Sequence, residues 1–356
     1  MAKQRKLNKG QLRRMQANQQ KRLQQAEAPA TPELETDASS LGAPETGTVV
    51  SRFGQQAIIC TPTEPDLRCH IRRSVDSLVC GDVVVWRRLQ QSTNDVVGVI
   101  EAVQPRSSLL SRPDYYDGLK PVAANVDQIL IVSSVLPAFS TQIIDRYLVA
   151  CEDIEVTPVI ILNKADLLTD IDADAAAEIQ SALAMYQAIG YQVLQVSAKQ
   201  AASLISLQQV LDDHVSIVVG QSGVGKSSLV NALLPEIDAE VGAVSDNSGL
   251  GQHTTTVATR YPLPNGGVLI DSPGIREFAL WHLEPERVAW CFKDFRPYLG
   301  RCKFRDCKHL DDPECALQQA VETGDLYALR MYNFHRIIES MTLKKPSRVT
   351  PRGKKS

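Results

Sequence analysis

Short apolar runs recur along the middle of this chain, and their spacing gives its first outline. From Gly47 to about Arg106 they are GTVVSRF, QQAIIC, LRCHIRR, GDVVVWRRL and VVGVIEAV, rich in β-branched residues and separated by turn formers. Five short strands within about 60 residues predict a small barrel of the OB type. Beyond it the period itself alternates. VDQILIVSSVL (Val126 to Leu136), TPVIILNKADLL (Thr157 to Leu168), YQVLQVSAK (Tyr191 to Lys199), VSIVV (Val215 to Val219) and GGVLIDSPG (Gly266 to Gly274) read as buried strands. IDRYLVACEDI, DADAAAEIQSALAMYQAIG and the stretch ending at Asp213 carry helical spacing between them. This alternation predicts a parallel α/β sheet, whose ligands sit at the carboxyl ends of its strands. Helical spacing returns from Cys315 to Met341.

Residues 27 to 46, EAPATPELETDASSLGAPET, have no period and read as a disordered linker. The chain thus divides into a basic arm and linker (1–46), an OB-fold barrel (47–108), an α/β domain (109–283), a helical metal-binding domain (284–343) and a basic tail (344–356). Charge sharpens this division. Eight cations and no acid precede Glu27, and six cations and no acid follow Met341; removing them from the formal net charge of -3 leaves -17 for the body. Basic arms on an acidic body suit a polyanion such as nucleic acid, or serve as solvated tails. Arg68, Arg72, Arg73, Arg87 and Arg88, with Trp86 among them, would equip the barrel for RNA; arginines solvated at its rim are the alternative. No apolar run is long enough to span a bilayer and MAKQRKLNKG has no apolar leader, so a soluble, cytoplasmic chain is expected.

Chemistry enters at Gly220, where the strand Val215 to Val219 runs into GQSGVGKSS. Gly220, Gly225, Lys226 and Ser227 fit G-x-x-x-x-G-K-[ST]. Gly220, Gln221, Ser222, Gly223, Val224 and Gly225 would turn main-chain N–H groups toward phosphate oxygens, Lys226 would meet the β and γ phosphates, and Ser227 and Ser228 would open the following helix. Ser227 would also place its hydroxyl on Mg²⁺. Asn163, Lys164, Ala165 and Asp166 form N-K-x-D after a buried strand. The Asp166 carboxylate can accept from guanine N1–H and the 2-amino group, whereas adenine offers neither donor. Ser197, Ala198 and Lys199, again at a strand end, would complete the pocket at guanine O6. Asp271 and Gly274 stand in D-x-x-G, where the carboxylate would hold the metal through water and the Gly274 N–H would meet the γ phosphate. The polar stretch SDNSGLGQHTTT (Ser245 to Thr256) would supply a further Mg²⁺ ligand from Thr254 or Thr255. Near the C-terminus Cys302, Cys307, His309 and Cys315 stand as C-x₄-C-x-H-x₅-C, a donor set for a closed tetrahedral Zn²⁺ site with no place for a catalytic water.

An ordinary GTPase runs phosphate loop, switch threonine, D-x-x-G, N-K-x-D, S-A-K; here the last two come first, as in a circular permutation. The permuted order, with a barrel before it and a Cys₃His knot after it, resembles the RsgA/YjeQ family over about Gly47 to Met341. The resemblance implies GTP hydrolysis stimulated by the small ribosomal subunit, contact with its rRNA, a role late in maturation of that particle, one Zn²⁺ per chain and a monomer. Ile275 replaces the glutamine that many GTPases carry after D-x-x-G and cannot orient water; the resemblance instead points to His253 of the switch loop as the catalytic group. Two other readings use the same motifs: a P-loop ATPase or small-molecule kinase, and a zinc-dependent RNA-binding protein in which nucleotide is only structural.

Overall fold

The computed structural model describes residues 41–93, 95–113, 118–234, 257–272, 280, 282–310 and 312–343. Strands β1 (Leu41–Phe53), β2 (Gln56–Cys60), β3 (Leu67–Ile71), β4 (Val83–Thr93) and β5 (Val96–Val103) close into a barrel in the order β1-β2-β3-β5-β4. Their inward side chains, including Val49, Ile59, Cys69, Val84 and Ile100, form one core, so the five apolar runs do build the OB-type barrel.

Two details differ from expectation. β1 begins at Leu41, inside the stretch expected as linker, because Pro44, Glu45 and Thr46 pair with Arg87, Trp86 and Val85 of β4. Residues 43–46 are exposed, which hides this part of the strand from any apolar pattern. Trp86, expected among the surface arginines, is 0% exposed. It stands opposite Ile100 and fills the room left by Gly98, where a Cβ would come within 2.5 Å of the ring. Arg72 and Arg87 both pair with Glu101, and Arg88 pairs with Glu64, while Arg68 and Arg73 are exposed.

A hairpin that the short, proline-containing LLSRP and LKPVAA sequences did not announce, β6 (Leu109–Pro113) and β7 (Leu119–Ala124), leads into the second unit. There β8 (Gln128–Ser134), β9 (Thr157–Asn163), β10 (Gln192–Gln195), β11 (Val215–Val219), β12 (Thr259–Pro262) and β13 (Val268–Asp271) form one sheet in the order β10-β9-β8-β11-β13-β12. All pairings are parallel except β12 with β13. Helices α1 (Thr141–Asp153), α2 (Ala173–Ile189), α3 (Ala201–Leu211) and α4 (Lys226–Leu233) connect the strands. Asp172 caps α2 by accepting from the Asp174 and Ala175 N–H groups, and Gly190, at φ 96°, ends it. The chain runs outward from β8 to β10 and then returns to lay β11 on the other side of β8. That reversal opens a crevice at the strand ends.

The third unit holds α5 (Pro285–Cys291), α6 (Ala316–Glu322) and α7 (Ala328–Leu343) around Phe292, Phe295 and Phe334, whose rings lie 4.7 to 5.6 Å apart. Thr323 and Gly324 break the helical run expected from Cys315 to Met341 into α6 and α7. A buried polar cluster fastens this unit to the sheet unit. Arg330 of α7, 1% exposed, donates to Asp145 of α1 and, at 2.9 Å, to Asp294. Asn333 and Tyr186 donate to the same Asp145 carboxylate at 2.6 and 2.8 Å. The guanidinium lies 4.3 Å from the centre of the Phe292 ring. Removing one partner of such a cluster leaves a buried charge uncompensated. Arg330→Ala is therefore expected to cost about 3–5 kcal/mol, read as a lower denaturant midpoint; a loss below about 1 kcal/mol would refute the clamp. Among the described residues no helix is long and apolar enough to cross a membrane.

Candidate nucleotide site and metal centre

β11 delivers the chain into a loop whose backbone only glycine follows without strain. Gly220, Gly223 and Gly225 have φ of 148°, 84° and 90°, and α4 begins immediately afterwards at Lys226. A Cβ on Gly220 would collide with the Val132 carbonyl of β8, and one on Gly225 with the Asn163 amide. The Lys226 Nζ donates to the Gly220 and Gln221 carbonyls at 2.8 and 2.6 Å, bracing the loop around its own turn. Val224 is buried, whereas Ser222, Ser227 and Ser228 are exposed. Such a loop, opening onto a helix N-terminus, presents main-chain N–H groups to an anion.

The neighbouring loops are tied to it by Asn163, which ends β9 and is 1% exposed. Its Nδ2 donates to the carbonyls of Val224 at 2.9 Å and Gly225 at 3.4 Å, and its Oδ1 accepts from the Ala198 N–H at 3.4 Å. One amide thus joins the ends of β9, β10 and β11. Lys164, at φ 56°, reaches along the phosphate loop and donates to the Gly223 and Leu136 carbonyls at 2.7 and 2.6 Å. The Ala165 N–H is held by the Val196 carbonyl at 3.0 Å. Ser197 is 2% exposed; its N–H donates to the Ser203 hydroxyl at 2.9 Å, and its own hydroxyl accepts from the Lys199 N–H at 3.3 Å.

Asp166 differs from these residues. Its Oδ1 is buried and has no hydrogen-bond partner among the described residues. An orphaned buried carboxylate oxygen costs about 1–3 kcal/mol or more, and an N–H donor arriving from a ligand removes that cost. Guanine fits this requirement with two adjacent donors, N1–H and the 2-amino group.

Asp271 ends β13 on the same edge of the sheet. Burial pushes its carboxyl above the ordinary carboxylate range, and the Lys226 charge and the Ser272 N–H oppose the shift. With the Ser227 hydroxyl it offers hard oxygen donors of the kind Mg²⁺ takes. His253, Thr254, Thr255 and Gly274 lie outside the described residues.

The four C-terminal ligand candidates do converge. The Cys302, Cys307 and His309 donor atoms and Cys315 Sγ all lie within 4.8 Å of one another. His309 Nδ1 is 3.5 Å from Cys302 Sγ, 3.5 Å from Cys307 Sγ and 3.4 Å from Cys315 Sγ, and Cys302 and Cys315 are 4.0 Å apart. A tetrahedral Zn²⁺ with bonds of about 2.3 Å to sulfur and 2.0 Å to nitrogen sets edges of about 3.8 and 3.5 Å. The four separations above lie close to those edges. Burial lowers the His309 pKa, which favours the neutral ring that a metal takes. Burial first, and the Cys302 and Cys315 thiols after it, push Cys307 up to about 12. A divalent cation reverses that pressure by taking thiolates. Around the cluster, the Ala316 N–H donates to Cys302 Sγ at 3.4 Å, and His335 of α7 contacts the His309 carbonyl at 2.7 Å.

Leu136, Ser203 and His335, which brace these sites, carry no motif that the sequence could have shown. Their roles are main-chain acceptance or a single side-chain bond.

A phosphate loop, an N-K-x-D loop and a half-buried aspartate on one sheet edge define a P-loop nucleotide-binding protein in permuted order. The RsgA GTPase family profile matches residues 103–281. The small ribosomal subunit biogenesis GTPase RsgA of Shewanella oneidensis is 58% identical over 351 residues, covering 98% of each chain. The RsgA protein of Yersinia enterocolitica is 52% identical over 354 residues, 98% of this chain and 99% of that one. Among solved structures, YjeQ from Thermotoga maritima aligns with a TM-score of 0.67 at 31% identity, over 84% of this chain and 99% of its own. YloQ, described as a circularly permuted GTPase, aligns at 0.65 and 29% identity, over 88% and 99%. The chain belongs to the RsgA GTPase family, and is a GTP hydrolase.

Proposed function

We propose that this protein hydrolyses GTP when it meets the small ribosomal subunit, acts late in that particle's maturation, holds rRNA in the GTP state and leaves after hydrolysis. The observation that carries the guanine assignment is the orphaned Asp166 Oδ1 beside the glycine loop. In this reading Asn163, Lys164, Ala165 and Asp166, with Ser197, Ala198 and Lys199, hold the base, and residues 220–228 hold the phosphates. Ser227, Asp271 and either Thr254 or Thr255 hold Mg²⁺, which neutralises charge developing on the phosphates. The Gly274 N–H meets the γ phosphate, and His253 places the attacking water once the ribosomal partner orders its loop. Cys302, Cys307, His309 and Cys315 hold one structural Zn²⁺, and the barrel and basic arms contact RNA. The names of the relatives support the ribosomal partner. A monomer in the cytoplasm completes the proposal.

The test is steady-state phosphate release from GTP and from ATP, with and without purified small subunits. Strong stimulation with GTP alone is expected. Equal rates with both nucleotides, or no response to the subunit, would overturn the reading.

A further inference from the structure

Outside the nucleotide site, a groove of about 880 Å³ lies between the segment preceding α1, helix α2 and the start of α7. Leu136, Tyr327, Leu329 and Tyr332 line it and remain 51%, 46%, 39% and 59% exposed. Four large exposed apolar side chains in one concavity mark a docking surface rather than scattered surface residues. Among the described residues that line the groove, Glu178 is the one ionised side chain. Helix α2 carries Asp174 and Glu178 with no lysine or arginine, directly after Asp170 and Asp172. The groove therefore suits an occupant with an apolar face and a cationic surround.

This chain contains such a segment. Leu12, Met15 and Leu23 stand at i, i+3 and i+11, a spacing that puts all three within about 80° of a helix circumference. On the same wheel Lys9 and Arg22 fall at the two edges of that stripe, with Arg13, Arg14 and Lys21 behind it. Eight cations and no acid precede Glu27. The reach also suffices. Arg260 of β12 contacts Cys60 of the barrel at 3.6 Å, so the barrel sits at the β12 edge of the sheet. From β12 across to β10 is about 24 Å, and the fourteen residues from Glu27 to Ser40 can extend to about 48 Å.

We propose that the N-terminal arm docks in cis, with Leu12, Met15 and Leu23 in this groove and its edge cations beside α2. The contact would bear on the nucleotide site, because the Leu136 carbonyl on the groove wall is the acceptor for Lys164. A polyanion that takes up the arm's cations would draw it out and bare the groove.

The test replaces Gln19, which the same spacing puts on the apolar stripe, with the photo-crosslinker p-benzoylphenylalanine in the full-length chain. Products formed without nucleotide are mapped by mass spectrometry. Intramolecular crosslinks to residues around Leu136, Leu329 and Tyr332 are expected. Their yield should fall at least tenfold with Met15→Asp and at least threefold with Glu178→Lys, an exposed position whose replacement leaves the fold intact. Heparin, a polyanion without bases, should lower it as well. Crosslinks elsewhere, yields that rise with protein concentration and so report a second copy, or yields indifferent to both substitutions would overturn the docking. Persistence in heparin would overturn the exchange with polyanions. No readout of this experiment depends on GTP hydrolysis.

Discussion

Asp166→Asn lowers affinity for GTP by about 10³–10⁴-fold and creates affinity for xanthosine triphosphate. The carboxylate accepts two hydrogen bonds from guanine, whereas an asparagine amide presents one acceptor and one donor. Its NH₂ then faces the guanine 2-amino group, donor against donor. Xanthine carries a carbonyl at that position and restores the pair. Since Asp166 Oδ1 has no partner among the described residues, the substitution breaks no protein contact there, and the melting temperature without nucleotide should hold. Titration with the two triphosphates checks this. Equal losses for both, or none for GTP, would move base recognition elsewhere and reopen the ATPase reading.

Cys315→Ser has the second large expected effect, on the fold rather than on the nucleotide. Cys315 is 1% exposed, and α6 starts directly behind it, so loss of a Zn²⁺ held there would free both the knot and the helix that continues from it. A closed Zn²⁺ site contributes about 10–16 kcal/mol in isolated fingers. Only part of that will show here, because the Phe292, Phe295 and Phe334 cluster and the Arg330 clamp persist without metal. A stability loss of at least about 3 kcal/mol is expected, together with a fall from one zinc per chain to none by elemental analysis. GTP affinity should stay within a few fold, because the nucleotide loops stand on β9, β10, β11 and β13. A wild-type chain that binds no zinc would sink the assignment.

The sequence made these sites legible to different degrees, for physical reasons. The phosphate loop is visible because glycine at Gly220, Gly223 and Gly225 is imposed by backbone sterics, which leave a residue-type trace. The Cys₃His cluster is visible because three thiols and an imidazole among charged neighbours have few uses other than holding a metal. Barrel and sheet strands are visible wherever side chains are buried on at least one face. The first residues of β1 are not, since their side chains face water and their pairing is carried by the backbone alone. The short β12 lacked signal for the same reason: none of Thr259, Arg260, Tyr261 and Pro262 is fully buried. Trp86 misled because an aromatic among arginines reads as a stacking platform until the register opposite Ile100 turns it inward. The Asp145–Arg330 contact spans 185 residues, and no local pattern encodes a pair at that distance.

The position of β11 has a consequence for synthesis. β8, β9 and β10 are complete by Gln195, before the strand that inserts beside β8 has been made. Until Val215–Val219 has been made, β8 has no partner on that side, and QILIVSS is an apolar strand with one unpaired edge. Ser216–Val219 then covers that edge by pairing with Gln128–Ile131, and β11 in turn waits for Val268–Ile270. The strand that carries the phosphate loop is therefore also the one that covers the bare β8 edge of the nascent protein. Nucleotide cannot assist folding before that moment, because the loop that would hold it is made only after the strand that covers β8.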